Sequence, residues 1–338
     1  MQTNTTILNE KRIAGLDTLR ILAFLAIFFF HSAPGLIYGY GRVDFFFVLS
    51  AFLLTLLTLN ELHNTDSFSK INFFWRRALR IFPLYFLVLL ALLVILPSVA
   101  SYLNISISLP ENKWMYWLFL ANYEHSDTLF ALKLLWSVSV QEQFYLLFLF
   151  IAFAFKRHLW TFVGLITTIY IVFMLWAESQ NMSTYGHTIT HFANYAAGIA
   201  GAYLYYHKQY SLRLTGLIFI TSGISLFFET PVIIYHVQLS VCFITLILLF
   251  TKWAPRVEHN PIFKISENLG KYTYGLYIFS GITITIGQKF LSEWNQIIVV
   301  LAELALTFIL AYLSYHLYEK QFLKLKQYFR KQRNLTSQ

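Results

Sequence analysis

LDTLRILAFLAIFFFHSAPGL, residues 16–36, is an apolar run of membrane-crossing length interrupted by Arg20 and His31. An ionisable residue inside such a run is costly and marks a functional site by default. The two lie eleven residues apart, which on an α-helix places them within about 20° of one face and roughly 16 Å apart along the axis. A cation near one membrane surface and an imidazole three turns deeper suit a long anionic ligand, held at one end and reacting at the other.

The rest of the chain agrees with this reading. Of 338 residues, 57% are hydrophobic, 19% aromatic and 12% charged, whereas soluble domains carry roughly 25% charged residues. The pattern predicts an all-α, polytopic membrane bundle. Its expected parts are an N-terminal tail (1–12), one transmembrane domain (13–321) and a basic C-terminal tail (322–338). No cleavable signal peptide is expected, because the first dozen residues are polar. The single cysteine, Cys242, excludes an intrachain disulfide and a cysteine-based zinc site.

Apolar segments fall at about 17–36, 43–60, 81–103, 134–155, 159–177, 190–207, 212–228, 230–251, 272–289 and 294–318, predicting about ten spans. Trp114 to Leu120 is too short to cross and reads as an interfacial or re-entrant piece. With the N-terminus inside, 21 Lys and Arg residues fall on cytoplasmic stretches and four (Arg42, Lys113, Lys133 and Lys289) outside. This asymmetry predicts both termini in the cytoplasm, Arg20 near the cytoplasmic surface and His31 toward the outer half. It also explains the net charge of +9 as membrane topology, so no nucleic-acid partner is expected.

Three further clusters carry chemistry. In FFWRRALRIFPLY (73–85), Arg76, Arg77 and Arg80 stand at a cytoplasmic span entrance, with Arg76 and Arg80 four apart on one face. Arginine forks bind phosphate bidentately, so the cluster is either a docking site for a phosphorylated ligand or a positive-inside anchor. In GRVDFFFVLSAF (41–52), Asp44 falls near the expected level of His31. It either fixes that imidazole's tautomer or caps its own helix. In LWSVSVQEQFYL (135–146), Ser137, Ser139, Gln141, Glu142 and Gln143 crowd the outer end of a span. They face either a cavity or other helices, because lipid leaves polar groups unpaired; Glu142 is the most expensive of them. His187 and His191 have the i, i+4 spacing of metal ligands but no evident acidic partner, so they read as a surface pair. His236, Glu303 and His316 fall in predicted spans without an assigned role.

These motifs together resemble the acyltransferase-3 family of integral membrane O-acyltransferases. The opening L-D-x-L-R followed by a histidine stands as Leu16 to Arg20 and His31. V-D-x-F-F-V-x-S-G-F stands as Val43 to Phe52, with Ala51 in place of glycine. R-R-x-x-R-I-x-P-x-Y is intact from Arg76 to Tyr85. W-S-L-x-V-E-E-Q-F-Y stands as Trp136 to Tyr145, with Gln141 in place of the first glutamate. LGKYTYGLYIFS (269–280) and SYHLYEKQF (314–322) match the closing elements, with Ser280 and Gln321 where members often have His and Pro.

The resemblance implies transfer of an acyl group, usually acetyl, from cytosolic acyl-CoA, the co-substrate, to a hydroxyl of a cell-surface or lipid-linked glycan. It places the protein in the cytoplasmic (inner) membrane among lipids and implies no metal. Arg20, Arg76, Arg77 and Arg80 would hold the CoA phosphates. His31 would be the general base, or alternatively an acyl-histidine nucleophile. Asp44 would orient it, and Glu142 would support it or bind acceptor. Trp136, Ser137, Tyr274 and Tyr277 would line the substrate site. The rival reading is a transporter or flippase using the same intramembrane charges; it predicts inverted repeats, and none is evident in the sequence.

Overall fold

The computed structural model describes residues 13–33, 43–257, 259–291 and 293–329, and leaves the side chain of residue 156 undescribed. The tail 1–12, the connection 34–42 with Arg42, and residues 330–338 lie outside the described residues. Among those described there is no strand. Eleven principal helices follow one another: α1 (Leu16–Ser32), α2 (Asp44–Thr65), α3 (Lys70–Tyr102), α4 (Phe130–Ala154), α5 (Arg157–Ser179), α6 (Phe192–Tyr206), α7 (Leu212–Ser225), α8 (Val232–Val257), α9 (Pro261–Leu269), α10 (Thr273–Phe290) and α11 (Gln296–Phe329).

Six of them, α2, α3, α4, α5, α8 and α11, are long and apolar enough to cross a membrane. The other predicted spans also fold as helices, but α1, α6 and α7 have only 17, 15 and 14 residues, against about 20 for a full crossing. α3 begins eleven residues before the predicted apolar run, because Ser69 caps it by accepting a bond from the Asn72 N–H. The expected tail from 322 is instead helical through Phe329, which stacks on Trp75 at 5.8 Å. Trp114–Leu120, too short to cross, holds part of a short helix, Lys113–Trp117, whose Tyr116 is fully buried and accepts a 2.8 Å bond from the Tyr85 hydroxyl on its carbonyl.

α5, α7 and α11 turn many large apolar side chains outward, Val172, Leu217, Ile220 and Leu301 among them, as lipid-facing helices do. α2 is the central helix, with most of its length buried. α6 packs closely on it where Gly198 offers no side chain, flanked by the ring contacts Phe47–Tyr195 and Phe52–Tyr205. A Cβ on Gly198 would collide with the Val48 carbonyl and the Ala51 methyl, and one on Gly201 would collide with Ile244 of α8. Small residues let membrane helices approach backbone to backbone, and here they clamp α2, α6 and α8 into one unit.

The start of α1 is held from outside. Its N-cap, Gly15, has φ +92° and no side chain to offer. Glu267 of α9 supplies the missing acceptor, taking the Gly15 and Thr18 N–H groups at 2.9 and 3.2 Å. A carboxylate at a helix N-terminus also opposes the positive end of the helix dipole. The contact fixes the depth at which Arg20 stands.

Candidate active site

α1, α2, α3, α4 and α10 enclose a cavity with about 880 Å³ of space free of protein atoms, its open mouth included. Arg20 of α1 and Arg77 and Arg80 of α3 reach its wall, as do Ser137, Gln141 and Tyr145 of α4 and Tyr274 and Tyr277 of α10. The opposing side is apolar and comes from α2, chiefly Phe46 and Phe47. Cationic groups on one side and a greasy wall on the other give a site of the kind that binds a long amphiphilic anion.

The arginines divide in a way their spacing does not show. Arg76 leaves the cavity. Its guanidinium donates to Glu61 of α2 at 3.1 Å and to the Phe329 carbonyl at 3.1 Å, so the expected Arg76–Arg80 pair is replaced by Arg77 with Arg80. Arg77 stacks at 6.0 and 5.7 Å over the rings of Phe73 and Tyr145. Among the described residues neither Arg77 nor Arg80 has an ion-pair partner. Arg20 is bonded to Asp17 one turn earlier, which holds its guanidinium at the wall.

The polar stretch of α4 splits by helical face. Ser137, Gln141 and Tyr145, four apart, line the cavity, and the Ser137 hydroxyl shares a 2.6 Å bond with that of Tyr277, which donates at 3.0 Å to the Leu134 carbonyl. Tyr274 donates to the Ile81 carbonyl at 3.0 Å, tying α10 to α3. On another face Ser139 accepts from the Ala121 N–H, and Gln143 bridges the Phe119 carbonyl and Asn122. Both readings of this stretch are therefore realised, one on each face. Buried Gln141 Nε2 and Glu142 Oε1 have no hydrogen-bond partner, so two unsatisfied polar atoms mark this wall.

Glu142 is buried in a second, smaller cavity with Arg77, Phe82, Phe119 and Tyr145. The expectation that it supports His31 is corrected: its charged neighbour is Arg77. Trp136 is not in the wall of the large cavity. It packs against Tyr185 at 5.0 Å and His191 at 5.6 Å. His31 is half-buried at the end of α1, its ring edge-on to Phe30 and Phe130 at 4.9 and 5.1 Å, and it lies outside that cavity's lining. The adjacent Ser32 donates to buried Glu303 of α11, which fills the space left by side-chain-free Gly287. This gives Glu303 a place: it ties the His31 end of α1 to α11.

Asp44 is not brought to His31. It is fully buried, and its Oδ1 meets His191 Nδ1 at 3.0 Å, Asn194 Nδ2 at 2.5 Å and His236 Nδ1 at 3.8 Å. The helix-cap alternative also fails, since its side chain makes no cap bond on α2. The surface-pair reading of His191 is overturned as well, because it is fully buried. Its i+3 partner Asn194 was the available signal: two polar residues on one face of an apolar helix with small residues below.

The fold and cavity define a multi-helix protein with membrane-crossing helices and a cationic pocket between them. Residues 13–316 match the acyltransferase-3 family, an acyltransferase domain, and the chain belongs to that family. O-acetyltransferase OatA of Staphylococcus aureus strain NCTC 8325 is 31% identical over 175 residues, which cover 49% of this chain and 29% of OatA. A protein of S. aureus strain COL, provisionally named an O-acetyltransferase (SACOL0978), is 26% identical over 355 residues, covering 93% of this chain and 58% of its own. The chain thus spans well under two thirds of the length of these relatives. No solved structure matches.

Proposed function

We propose that the protein is a membrane O-acyltransferase that moves an acetyl group from cytosolic acetyl-CoA to a hydroxyl of a cell-surface or lipid-linked glycan. The observation that carries this reading is the convergence of Arg20, Arg77 and Arg80 on one cavity, with neither Arg77 nor Arg80 in an ion pair among the described residues, although Glu142 shares the smaller cavity with Arg77. A half-buried guanidinium without a counter-ion is held ready for an anionic ligand, and its fork suits phosphate oxygens. CoA carries several phosphates and a pantetheine arm long enough to run up the apolar wall of α2. Ser137, Gln141, Tyr274 and Tyr277 offer hydroxyl and amide groups along that path. Arg76 anchors α3 to α2 and is not a ligand in this scheme, and Glu142 positions Arg77.

His31 is the proposed general base. It takes the proton of the acceptor hydroxyl as the oxygen attacks the thioester carbonyl, and passes it to the sulfur as the C–S bond breaks, so that CoA leaves as the thiol. The tie between Ser32 and Glu303 positions it, in place of Asp44. The orientation proposed has about ten crossing helices, both termini in the cytoplasm and the arginines at the cytoplasmic side of the inner membrane. The relatives' names support O-acetyl transfer.

Membranes holding the wild-type chain, His31→Ala or Arg77→Met, supplied with radiolabelled acetyl-CoA, test the reading. Label should enter glycan with the wild type and be lost with His31→Ala, while Arg77→Met should raise the KM for acetyl-CoA. Full transfer by His31→Ala would remove the base from the mechanism, and an unchanged KM in Arg77→Met would remove the donor site.

A further inference from the structure

We propose that Asp44, His191 and His236 form a structural site for a divalent transition metal, with zinc the best match to the donors. One carboxylate and two imidazoles from α2, the turn before α6, and α8 have ligand atoms all within 4.8 Å of one another, and all three residues are buried. Imidazole and carboxylate donors suit zinc, with bonds near 2.0–2.2 Å, and three of them leave the fourth tetrahedral position to a water. The edge of a tetrahedron with such bonds is about 3.3 Å, between the 3.0 and 3.8 Å separations of Asp44 Oδ1 from the two imidazoles.

Hydrogen counting points the same way. His191 Nε2 lies 2.9 Å from the Tyr185 carbonyl, which only accepts, so Nε2 carries the proton. In a neutral ring Nδ1 is then a lone pair facing the Asp44 carboxylate at 3.0 Å; the one donor shared by the two acceptors is the Asn194 amide, at 2.5 Å from Asp44 Oδ1 and a long 3.4 Å from Nδ1, and a cation between them would relieve the repulsion. An N–H bonded to a backbone carbonyl is also the usual orienting device of a metal-bound histidine. Two more atoms call for a partner: Asp44 Oδ2 and His236 Nδ1 are buried with no hydrogen bond. Asn194, which donates to Asp44 and accepts from Ser240, supplies the supporting shell. The site lies behind the cavity wall, since the Phe47 ring packs on His191 at 4.7 Å. Bound metal would lock α2, α6 and α8 there without touching substrate.

The test uses full-length protein in detergent without a polyhistidine tag, and its readouts do not depend on transfer activity. Elemental analysis should find about one zinc per chain in the wild type and less than a tenth of that in His236→Gln. Because His236→Gln could misfold, chelator-stripped wild type is also titrated with Co²⁺. The ligand-field absorption of a low-symmetry cobalt site should appear, and Zn²⁺ should abolish it and raise the unfolding temperature. Folded, stripped wild type that gives no cobalt spectrum and no thermal shift with Zn²⁺ would overturn the proposal and leave a shared proton between Asp44 and His191. Equal zinc in wild type and His236→Gln would also overturn it, as binding elsewhere.

Discussion

On one side of the Phe47 ring, Arg77 and Arg80 line open space and make no ion pair among the described residues; on the other, the Asp44 carboxylate is closed in by two imidazoles and an amide. Both regions hold charge inside an apolar bundle, where an uncompensated charge is strongly unfavourable. The cluster surrounds its charge with groups from within the chain, which the proposed metal ion would join, and behaves as part of the frame. The cavity leaves its charge unmet and has room for something to enter. A buried charge therefore indicates function in this protein according to whether the fold supplies its partner.

Substitutions can break this contrast, and His31→Ala should have the largest effect. Removing a general base costs about 10²–10⁴-fold in rate. The ring is half-buried at the end of α1, edge-on to Phe30 and Phe130, so turnover should collapse far beyond any fall in the yield or unfolding temperature of the purified protein. Phe47→Ala removes the partition itself. Emptying so large a buried side chain costs about 3–5 kcal/mol, and the drop should appear as a lower unfolding midpoint together with weakened binding in the cavity.

A paired comparison of Arg77→Met with Arg76→Met sharpens the division within the cationic cluster. Charge-assisted hydrogen bonds contribute about 1.5–3 kcal/mol each, so Arg77→Met should raise the KM for acetyl-CoA roughly tenfold to a hundredfold. Arg76 is spent on Glu61, a partly exposed pair worth about 0–1 kcal/mol, so Arg76→Met should change KM little. Equal effects from the two would erase the distinction between ligand and anchor. The smallest change is expected from Tyr277→Phe, which deletes the bonds to Ser137 and the Leu134 carbonyl; neutral hydrogen bonds are worth about 1 kcal/mol each, to be read as a change of at most about tenfold to thirtyfold in kcat/KM.

Much of this architecture was legible in the chain. Long apolar runs gave the helices, because in lipid the backbone must satisfy itself within each segment. The four-residue spacing of Ser137, Gln141 and Tyr145 put them on one face, and the motif from Leu16 to Arg20 with His31 pointed to the family. Assignments between distant segments fared differently. Asp44 read as a partner of His31 because both were placed at one depth, but depth says nothing about which helices are neighbours. His191 read as surface-exposed because its acidic partner lies 147 residues away in the sequence. Arg76 and Arg80 share a face, yet Glu61 on the preceding helix claims the first.

The sequence by itself determined the membrane-protein class, the helices, the family and the cations at the entrance of α3, all of which depend on composition and short-range spacing. Only the tertiary structure decided which charges are neutralised and which are left open. That outcome depends on which helices touch, and contact is set by the bare surfaces of Gly198 and Gly201, which let α6 and α8 close on α2 and deliver His191 and His236 to Asp44.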